Sequence, residues 1–112
     1  MSQITLDEYQ KRALTTYSRE DQGSQIGIAY TSLGLVGEAG EIANKTKKIL
    51  RGDYNAESIR DDLAAELGDV LWYLAVVAHE FGLSLNDIGQ ANLTKLASRK
   101  ARGVIQGSGD HR

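Results

Sequence analysis

The amino-acid sequence predicts an all-α fold, a bundle of four to five helices, from three observations. Apolar residues recur at helical spacing in four segments, and no alternating strand pattern separates them. Three of the four segments begin with Ser or Thr followed three residues later by Asp or Glu, and three end at a glycine. The 112 residues include no proline, so no ring interrupts a long helix. A chain of this length forms one domain.

The first two helices are expected in the N-terminal half of the chain. Thr5-x-x-Glu8 has the form of a capping box and begins the first helix, whose apolar spacing continues to about Ser18. A polar, glycine-bearing loop follows. The second helix is expected over residues 28–50, and Gly52 ends it as the C-terminal cap.

The third and fourth helices are each expected to begin after a serine that is followed three residues later by aspartate. The third extends from after Ser58 to before Gly82, and the fourth from after Ser84 to before Gly103. The first 103 residues therefore make up the predicted helical domain. The glycine-rich remainder, residues 104–112, shows no periodic pattern and is expected to be loose.

Composition narrows the range of functions. The net charge of −2 provides no basic field for a nucleic-acid polymer. The absence of cysteine rules out disulfides and thiolate metal sites, and it fits a reducing, cytoplasmic environment. The longest apolar run, Val70–Ala78, is far too short to span a membrane. We therefore expect a cytoplasmic protein without a membrane partner.

Two pairs of carboxylates stand on consecutive predicted helices. Glu38 and Glu41 are three residues apart on the second helix, as are Glu66 and Asp69 on the third. At about 100° per residue, Glu66 lies in the middle of the apolar stripe that faces the core, and Glu38 lies beside the corresponding stripe. The other two residues flank these stripes. A helical hairpin would bring the two pairs face to face.

Carboxylates in such positions need a counter-charge. An unpaired buried carboxylate costs several kcal/mol, roughly, or takes up a proton instead. Hard oxygen ligands without Cys or a nearby His favour Mg²⁺, Mn²⁺ or Ca²⁺ over Zn²⁺. For either pair alone, a solvated acidic helix face is the alternative. Two pairs that both lie against core stripes favour a metal site on Glu38, Glu41, Glu66 and Asp69.

Glycines surround the carboxylates. Gly34, Gly37 and Gly40 recur every three residues inside the second helix, where each costs about 1 kcal/mol relative to alanine. Gly68 stands inside the second carboxylate pair. Because no strand precedes this string, it is not a dinucleotide-binding fingerprint. We expect the glycines to allow close approach of a neighbouring helix or of a ligand, and the pattern does not choose between the two.

The segments that hold the carboxylates resemble those of a known family. Gly34-Leu-Val-Gly-Glu-Ala-Gly-Glu41, and after it Leu63-Ala-Ala-Glu-Leu-Gly-Asp69-Val, are similar to the E-x-x-E and E-x-x-D signature of the MazG-type nucleoside triphosphate pyrophosphohydrolases. The 24 residues between the two motifs fit the family's spacer. The segments 92–103 and 107–112 are similar to the C-terminal part of its compact single-domain members. The resemblance extends over about residues 28–112.

The resemblance implies a function and a site. It implies Mg²⁺-dependent hydrolysis of an NTP or dNTP to the monophosphate and pyrophosphate, with water attacking the α-phosphorus and with Mn²⁺ as an alternative ion. The implied metal ligands and catalytic residues are Glu38, Glu41, Glu66 and Asp69. It also implies an all-α homodimer or dimer of dimers. The dUTPase-like relatives often have a further glutamate immediately before the first motif, where this sequence has Gly37.

Positive side chains provide candidate phosphate contacts. Lys45 and Lys48 lie on the carboxylate side of the second helix, although Lys45 could instead form an i, i+4 surface pair with Glu41. In the fourth helix, the resemblance favours Asn92, Lys95 and Arg99. The alternative for the two basic residues is stabilisation of the helix C-terminus or a solvated basic face.

An aromatic side chain is expected to hold the base of the nucleotide. Trp72 follows the second carboxylate pair closely and is the candidate platform. A single aromatic residue is, however, more often part of a core.

The helix segment Val70–Ala78 is apolar on every side, which predicts burial all around it. Four helices of one short chain hardly cover such a segment. We therefore expect a homo-oligomer with this helix in its interface. The alternative is a central helix within a monomer.

Two other functions fit a helical bundle with paired carboxylates. A di-iron site usually contains Glu-x-x-His pairs, and neither motif has a histidine at the fourth position. A non-catalytic nucleotide-binding or interaction module of the same fold is the second alternative. The presence of all four carboxylates favours the enzyme.

Overall fold

A computed structural model describes residues 2–112 as a succession of helices. α1 spans Leu6–Ala13 and continues as a 3₁₀ helix over Leu14–Thr16; α2 spans Gln25–Arg51, α3 spans Arg60–Glu80 and α4 spans Leu85–Ala101. No strand occurs in this part of the chain. The all-α prediction is confirmed. None of these helices combines the length and the hydropathy needed to cross a bilayer.

Hydroxyl side chains cap three of the helices at their N-termini. Thr5, Ser24 and Ser84 each accept a hydrogen bond from the backbone N–H three residues further on, at 3.0 to 3.2 Å. The caps at Thr5 and Ser84 were predicted. The cap at Ser24 was not, because Gly27 rather than an acidic residue stands three positions later. As a result, α2 begins earlier than predicted, at Gln25.

The prediction of a cap at Ser58 is wrong. Ile59 occupies the cap position of α3, and no side chain bonds to the first turn of that helix. The Ser58 hydroxyl donates instead to the backbone carbonyl of Asn55 at 3.0 Å, so it stabilises the turn that precedes the helix. Its short polar side chain can satisfy either arrangement, and sequence spacing alone does not distinguish them.

The first helix is also shorter than its predicted extent to Ser18. The α-helical pattern ends at Ala13, and the chain tightens into the 3₁₀ turn that ends at Thr16. The hydroxyls of Thr15 and Thr16 donate to backbone carbonyls three residues earlier, at 2.6 and 2.8 Å. Such local bonds compete with the α-helical ladder and explain the early end.

Three glycines end the three long helices in the same way, as predicted. Gly52, Gly82 and Gly103 have φ angles of 89°, 68° and 71°, in the left-handed region. In each case the N–H of the next residue bonds to the carbonyl five positions earlier, at 2.8 to 3.0 Å. This is the Schellman motif, which favours glycine because other L-residues rarely adopt a positive φ.

α2 and α3 form an antiparallel hairpin. Gly27, near the start of α2, lies beside Glu80 at the end of α3. Gly34, further along α2, lies beside Tyr73, which comes earlier in α3. The two helices therefore run in opposite directions. A Cβ at position 34 would stand 2.1 Å from a ring carbon of Tyr73, so close helix approach explains this glycine. The hairpin brings the middle of each helix, where the carboxylates stand, opposite the other.

The other glycines near the carboxylates have no such packing role within the described chain. A Cβ built at Gly37, Gly40 or Gly68 would meet no atom within 4 Å. Of the two expected uses, close approach of a neighbouring helix or of a ligand, the first is found at Gly34, and the choice stays open at the other three glycines. A side chain at any of the other three positions would point into open space.

The core lies at the end of the hairpin where α1 and the start of α4 cover α3. Ala13, Ala75, Ala78 and Leu85 are buried together, with Tyr9 and Trp72 packed against them. Gln10 is buried as well, and its amide nitrogen donates to the carbonyls of Ala75 at 3.1 Å and Leu83 at 3.0 Å. Its amide oxygen accepts from the N–H of Leu85 at 3.1 Å, so this polar group is satisfied and joins three elements.

The tail after residue 103, which was expected to be loose on its own, is hydrogen-bonded to α4. Asp110 accepts hydrogen bonds from Lys95 and Arg99, which fasten the tail to α4. Arg112 donates to three backbone carbonyls within the tail, at 2.6 to 3.1 Å. The tail is folded by contacts between charged groups and carbonyls, which leave no periodic pattern in the sequence.

The chain exposes more surface than a closed domain of its size. Its accessible area is 8156 Å², whereas a compact protein of 12.2 kDa exposes about 6,000 Å². Its radius of gyration is 16.9 Å, against about 13 Å for a compact chain of similar length. Leu33 and Val36 on α2 are 73% and 70% exposed. In the apolar segment 70–78, Ala75, Val76 and Ala78 are buried, while Leu74 remains exposed.

Candidate metal centre

Glu38, Glu66 and Asp69 meet in the middle of the α2–α3 hairpin. Each offers a carboxylate oxygen, and these oxygens all lie within 4.8 Å of one another. The oxygens around one octahedral Mg²⁺ are about 3 to 4 Å apart, so small side-chain movements would bring all three onto one ion. The predicted face-to-face arrangement is therefore present for three of the four carboxylates.

The burial of these side chains follows from their helix positions. The Glu66 side chain is 17% exposed, and Glu38 is also partly buried, whereas Asp69 is exposed. Helix geometry places residues three apart on the same face, so Glu66 and Asp69 point together toward α2. The cluster thus opens to solvent on the Asp69 side.

Glu41 lies at the edge of this cluster. It is exposed one turn after Glu38 on α2, and its carboxylate is not among the three that meet. Its negative charge is nevertheless one of those that raise the pKa of Glu38. The structure therefore places Glu41 within electrostatic reach of the cluster but not within the group of three.

The pKa of Glu38 is raised above that of an ordinary glutamate. Burial is the largest cause, followed by the hydrogen bond to Glu66 and by the negative charges of Asp69, Glu66 and Glu41. Crowded carboxylates resist ionisation because each charge repels the others. A cation held between them would remove that repulsion, so the donor set fits a hard divalent ion.

Lys45 supplies the cluster with one positive charge. Its Nζ lies 3.4 Å from Oε1 of Glu66, across the hairpin, and its side chain is 26% exposed. The alternative pairing with Glu41 on the same helix is not the one that forms. Lys48 follows one turn later on α2 and is also partly buried.

Tyr73 is a neighbour of the site, although Trp72 was chosen over it as the candidate platform. Its pKa is raised first by burial, then by Tyr30, and further by the negative charges of Glu38 and Asp69. Its position four residues after Asp69 places both on the same helix face, which is the signal that could have identified it. Its contact with Gly34 fixes the ring against α2.

Trp72 packs toward α1. Its indole nitrogen donates to the hydroxyl of Thr16 at 2.8 Å and to the carbonyl of Ala13 at 3.3 Å. Its ring meets Tyr17 and Tyr73 edge to face, with centroids 6.0 and 5.0 Å apart. It also lines a cavity of about 340 Å³ between α1 and α3, together with Ile4, Tyr9, Arg12, Ala13 and Thr16.

The candidate phosphate contacts of α4 are engaged by the tail. Lys95 Nζ lies 2.8 Å and Arg99 Nη2 lies 3.1 Å from the same carboxylate oxygen of Asp110. Arg99 is 5% exposed, and its Nε has no hydrogen-bond partner in the described chain. Asn92 is exposed and lines, with Lys95, a cavity of about 340 Å³. Asn92, Lys95 and Arg99 lie near one another on α4. The side-chain hydrogen bonds of Lys95 and Arg99 go to Asp110 and not to the carboxylate cluster.

Comparisons with known proteins match the part of the chain that holds the cluster. Residues 28–104 match the model of the MazG nucleotide pyrophosphohydrolase domain. The chain is similar to Gene 37 protein of Mycobacterium phage L5, with 61% identity over 89 residues that cover 77% of each chain. It is also similar to Uncharacterized protein YvdC of Bacillus subtilis, with 30% identity over 98 residues, or 81% of this chain and 84% of that protein. No solved structure matches the chain significantly.

Proposed function

The chain belongs to the MazG nucleotide pyrophosphohydrolase family, and we propose that it hydrolyses a nucleoside triphosphate, either NTP or dNTP, to the monophosphate and pyrophosphate in a Mg²⁺-dependent reaction. The observation that carries this proposal is the meeting of Glu38, Glu66 and Asp69, whose carboxylate oxygens lie within 4.8 Å of one another. Carboxylates so close together are stable when a divalent cation lies between them.

We assign the metal to these three carboxylates and to Glu41, with Mn²⁺ as an alternative ion. Mg²⁺ bound there would neutralise charge on the phosphates and lower the pKa of a water molecule. The exposure of Asp69 and Glu41 leaves the cluster accessible to a nucleotide from solvent.

The carboxylates would position the water and accept its proton. The water oxygen forms a bond to the α-phosphorus, and the bond from that phosphorus to the bridging oxygen breaks. Pyrophosphate leaves with the electron pair, and the proton of the water passes to a carboxylate of the cluster. Charge builds up on the leaving group, so cationic side chains nearby would assist.

Lys45 and Lys48 are the proposed phosphate contacts on α2. Lys45 already lies against the cluster through Glu66, and Lys48 lies one turn further along the same helix. We propose Asn92, Lys95 and Arg99 of α4 as further contacts, and Trp72 as a wall for the base. The positive charges of Lys95 and Arg99 support their part of this assignment.

We also propose that the active form is a homodimer or homotetramer. The area of 8156 Å² leaves about 2,000 Å² more than a compact chain of this mass exposes. That excess matches the surface that each subunit of a stable oligomer buries. Sedimentation equilibrium at micromolar concentration should give twice or four times the mass of the chain. A monomer at tens of micromolar would rule out the oligomer.

A panel of NTPs and dNTPs with Mg²⁺ tests the proposed activity. We expect at least one of them to yield pyrophosphate without orthophosphate, and chelation of the metal with EDTA should stop the reaction. If the protein binds a nucleotide but releases no pyrophosphate from any member of the panel, it is a non-catalytic nucleotide-binding module of the same fold.

A further inference from the structure

We propose that Lys45 is the internal counter-ion of the carboxylate cluster: its ammonium group neutralises Glu66 while the site is free of metal, and it leaves Glu66 when a divalent cation binds. The departing ammonium is then available to the phosphates of the nucleotide. This inference rests on the proposed function, because it concerns the order of events at the same site.

The first argument is the position of Lys45. It lies two helical turns after Glu38 on α2, so both side chains point to the same side of the hairpin. Its Nζ is 3.4 Å from Oε1 of Glu66, and the two side chains are only partly exposed. Water screens the attraction between two such partly buried charges less than it screens pairs on an open surface.

The second argument is the charge balance of the cluster. Of the ion pairs in residues 2–112, the one formed by Lys45 is the only one that reaches Glu38, Glu66 or Asp69. A single ammonium group, in contact with Glu66, thus lies beside three carboxylates, and Glu41 adds negative charge at the edge of the cluster. Lys45 therefore lowers the repulsion in the cluster without neutralising it completely.

The third argument is the chemistry of lysine. Its ammonium is a point charge on a flexible stem of four carbons, so it can move several ångströms without a change in the backbone. A divalent cation that shares Glu66 would repel it and compete for the same carboxylate oxygen. The anions that then face the released ammonium are the phosphates of a nucleotide, so metal binding would precede and favour phosphate contact.

Metal binding in the absence of nucleotide tests this exchange. Mn²⁺ titration of the full chain, followed by electron paramagnetic resonance of free Mn²⁺, compares wild type with Lys45→Met, which keeps the aliphatic stem and removes the charge. Lys47→Met is the matched control, since Lys47 is an exposed residue of the same helix. We expect Lys45→Met to bind Mn²⁺ about three- to tenfold more tightly than wild type, and Lys47→Met to differ by less than about twofold.

The apparent affinity for the nucleotide should change in the opposite direction to the affinity for Mn²⁺. Lys45→Met is expected to raise KM for the magnesium complex of the best nucleotide of the panel, because the phosphate contact is lost. Unchanged or weaker Mn²⁺ binding by Lys45→Met overturns the counter-ion role. If wild type still releases pyrophosphate in that case, the proposed function stands and the inference alone fails. Absence of Mn²⁺ binding by wild type overturns both the inference and the assigned metal site.

Discussion

The carboxylate cluster of the α2–α3 hairpin and the basic end of α4 are both groups of like charges, but they are neutralised to different degrees. The three carboxylates of the hairpin have one ammonium group beside them, that of Lys45, which contacts Glu66. Burial, together with the neighbouring carboxylates, raises the pKa of Glu38. At the end of α4, Lys95 and then Arg99 lower the pKa of Asp110 through hydrogen bonds. The carboxylates of the hairpin outnumber the one ammonium group beside them, whereas the basic residues of α4 share the carboxylate of Asp110. A hard cation is therefore expected at the hairpin.

The largest expected effect is at Glu66. Glu66→Gln removes the charge of a partly buried ligand, and we expect kcat/KM for pyrophosphate release to fall at least about 100-fold, with Mn²⁺ binding lost in parallel. Glu57→Gln is the matched control, because Glu57 is an exposed residue of the loop before α3. Retention of more than half of the activity by Glu66→Gln would remove this residue from the metal site.

Glu41→Gln tests whether the cluster has three or four ligands. Glu41 is exposed and outside the group of three, so we expect a smaller loss, about 10- to 100-fold in kcat/KM, with weaker Mn²⁺ binding. A loss as large as that of Glu66→Gln would show that Glu41 is an equal ligand. Full activity would restrict the site to the other three carboxylates.

Gly34 controls how closely α2 approaches the carboxylates of α3. Gly34→Ala places a Cβ against the ring of Tyr73, and we expect it to lower the free energy of unfolding by about 1 to 3 kcal/mol. Gly40→Ala, in the same helix but with open space around it, should leave stability unchanged or raise it by up to about 1 kcal/mol. Thermal unfolding of the two variants and of wild type measures this difference in stability. Equal effects at the two positions would contradict the close packing at Gly34.

The smallest effect is expected at Asp110. Asp110→Asn removes the carboxylate that Lys95 and Arg99 share, so hydrogen exchange in residues 104–112 should become faster. Because Asp110 is 69% exposed, we expect only a small decrease in Tm and a change in kcat/KM below about tenfold. His111→Asn is the control in the same tail. If Asp110→Asn is as damaging as Glu66→Gln, the tail is part of the active site and the contrast between the two regions fails.

Features set by local periodicity were predicted from the sequence. The glycine ends, the caps at Thr5 and Ser84, and the side of each helix on which Glu38 and Glu66 stand depend on residues a few positions apart. Helical geometry relates such positions without knowledge of the rest of the fold.

Partners across elements were not predicted. A helical wheel places Lys45 beside the carboxylates but does not reveal that it meets Glu66 of α3 rather than Glu41 of α2. Asp110 likewise bonds to a helix 11 to 15 residues earlier in the chain. Hydroxyl caps depend on which of several local bonds forms, which is why Ser24 was missed and Ser58 was misassigned.

Hydrolysis in water enriched in ¹⁸O tests the central claim most directly. With Mg²⁺ and a nucleotide of the panel, we predict that ¹⁸O enters the monophosphate, that unlabelled pyrophosphate is released in equal amount, and that Glu66→Gln abolishes both. This result requires attack at the α-phosphorus by a site that depends on the carboxylate cluster. Release of orthophosphate, label in the pyrophosphate, or unchanged turnover by Glu66→Gln would contradict the proposed site and reaction.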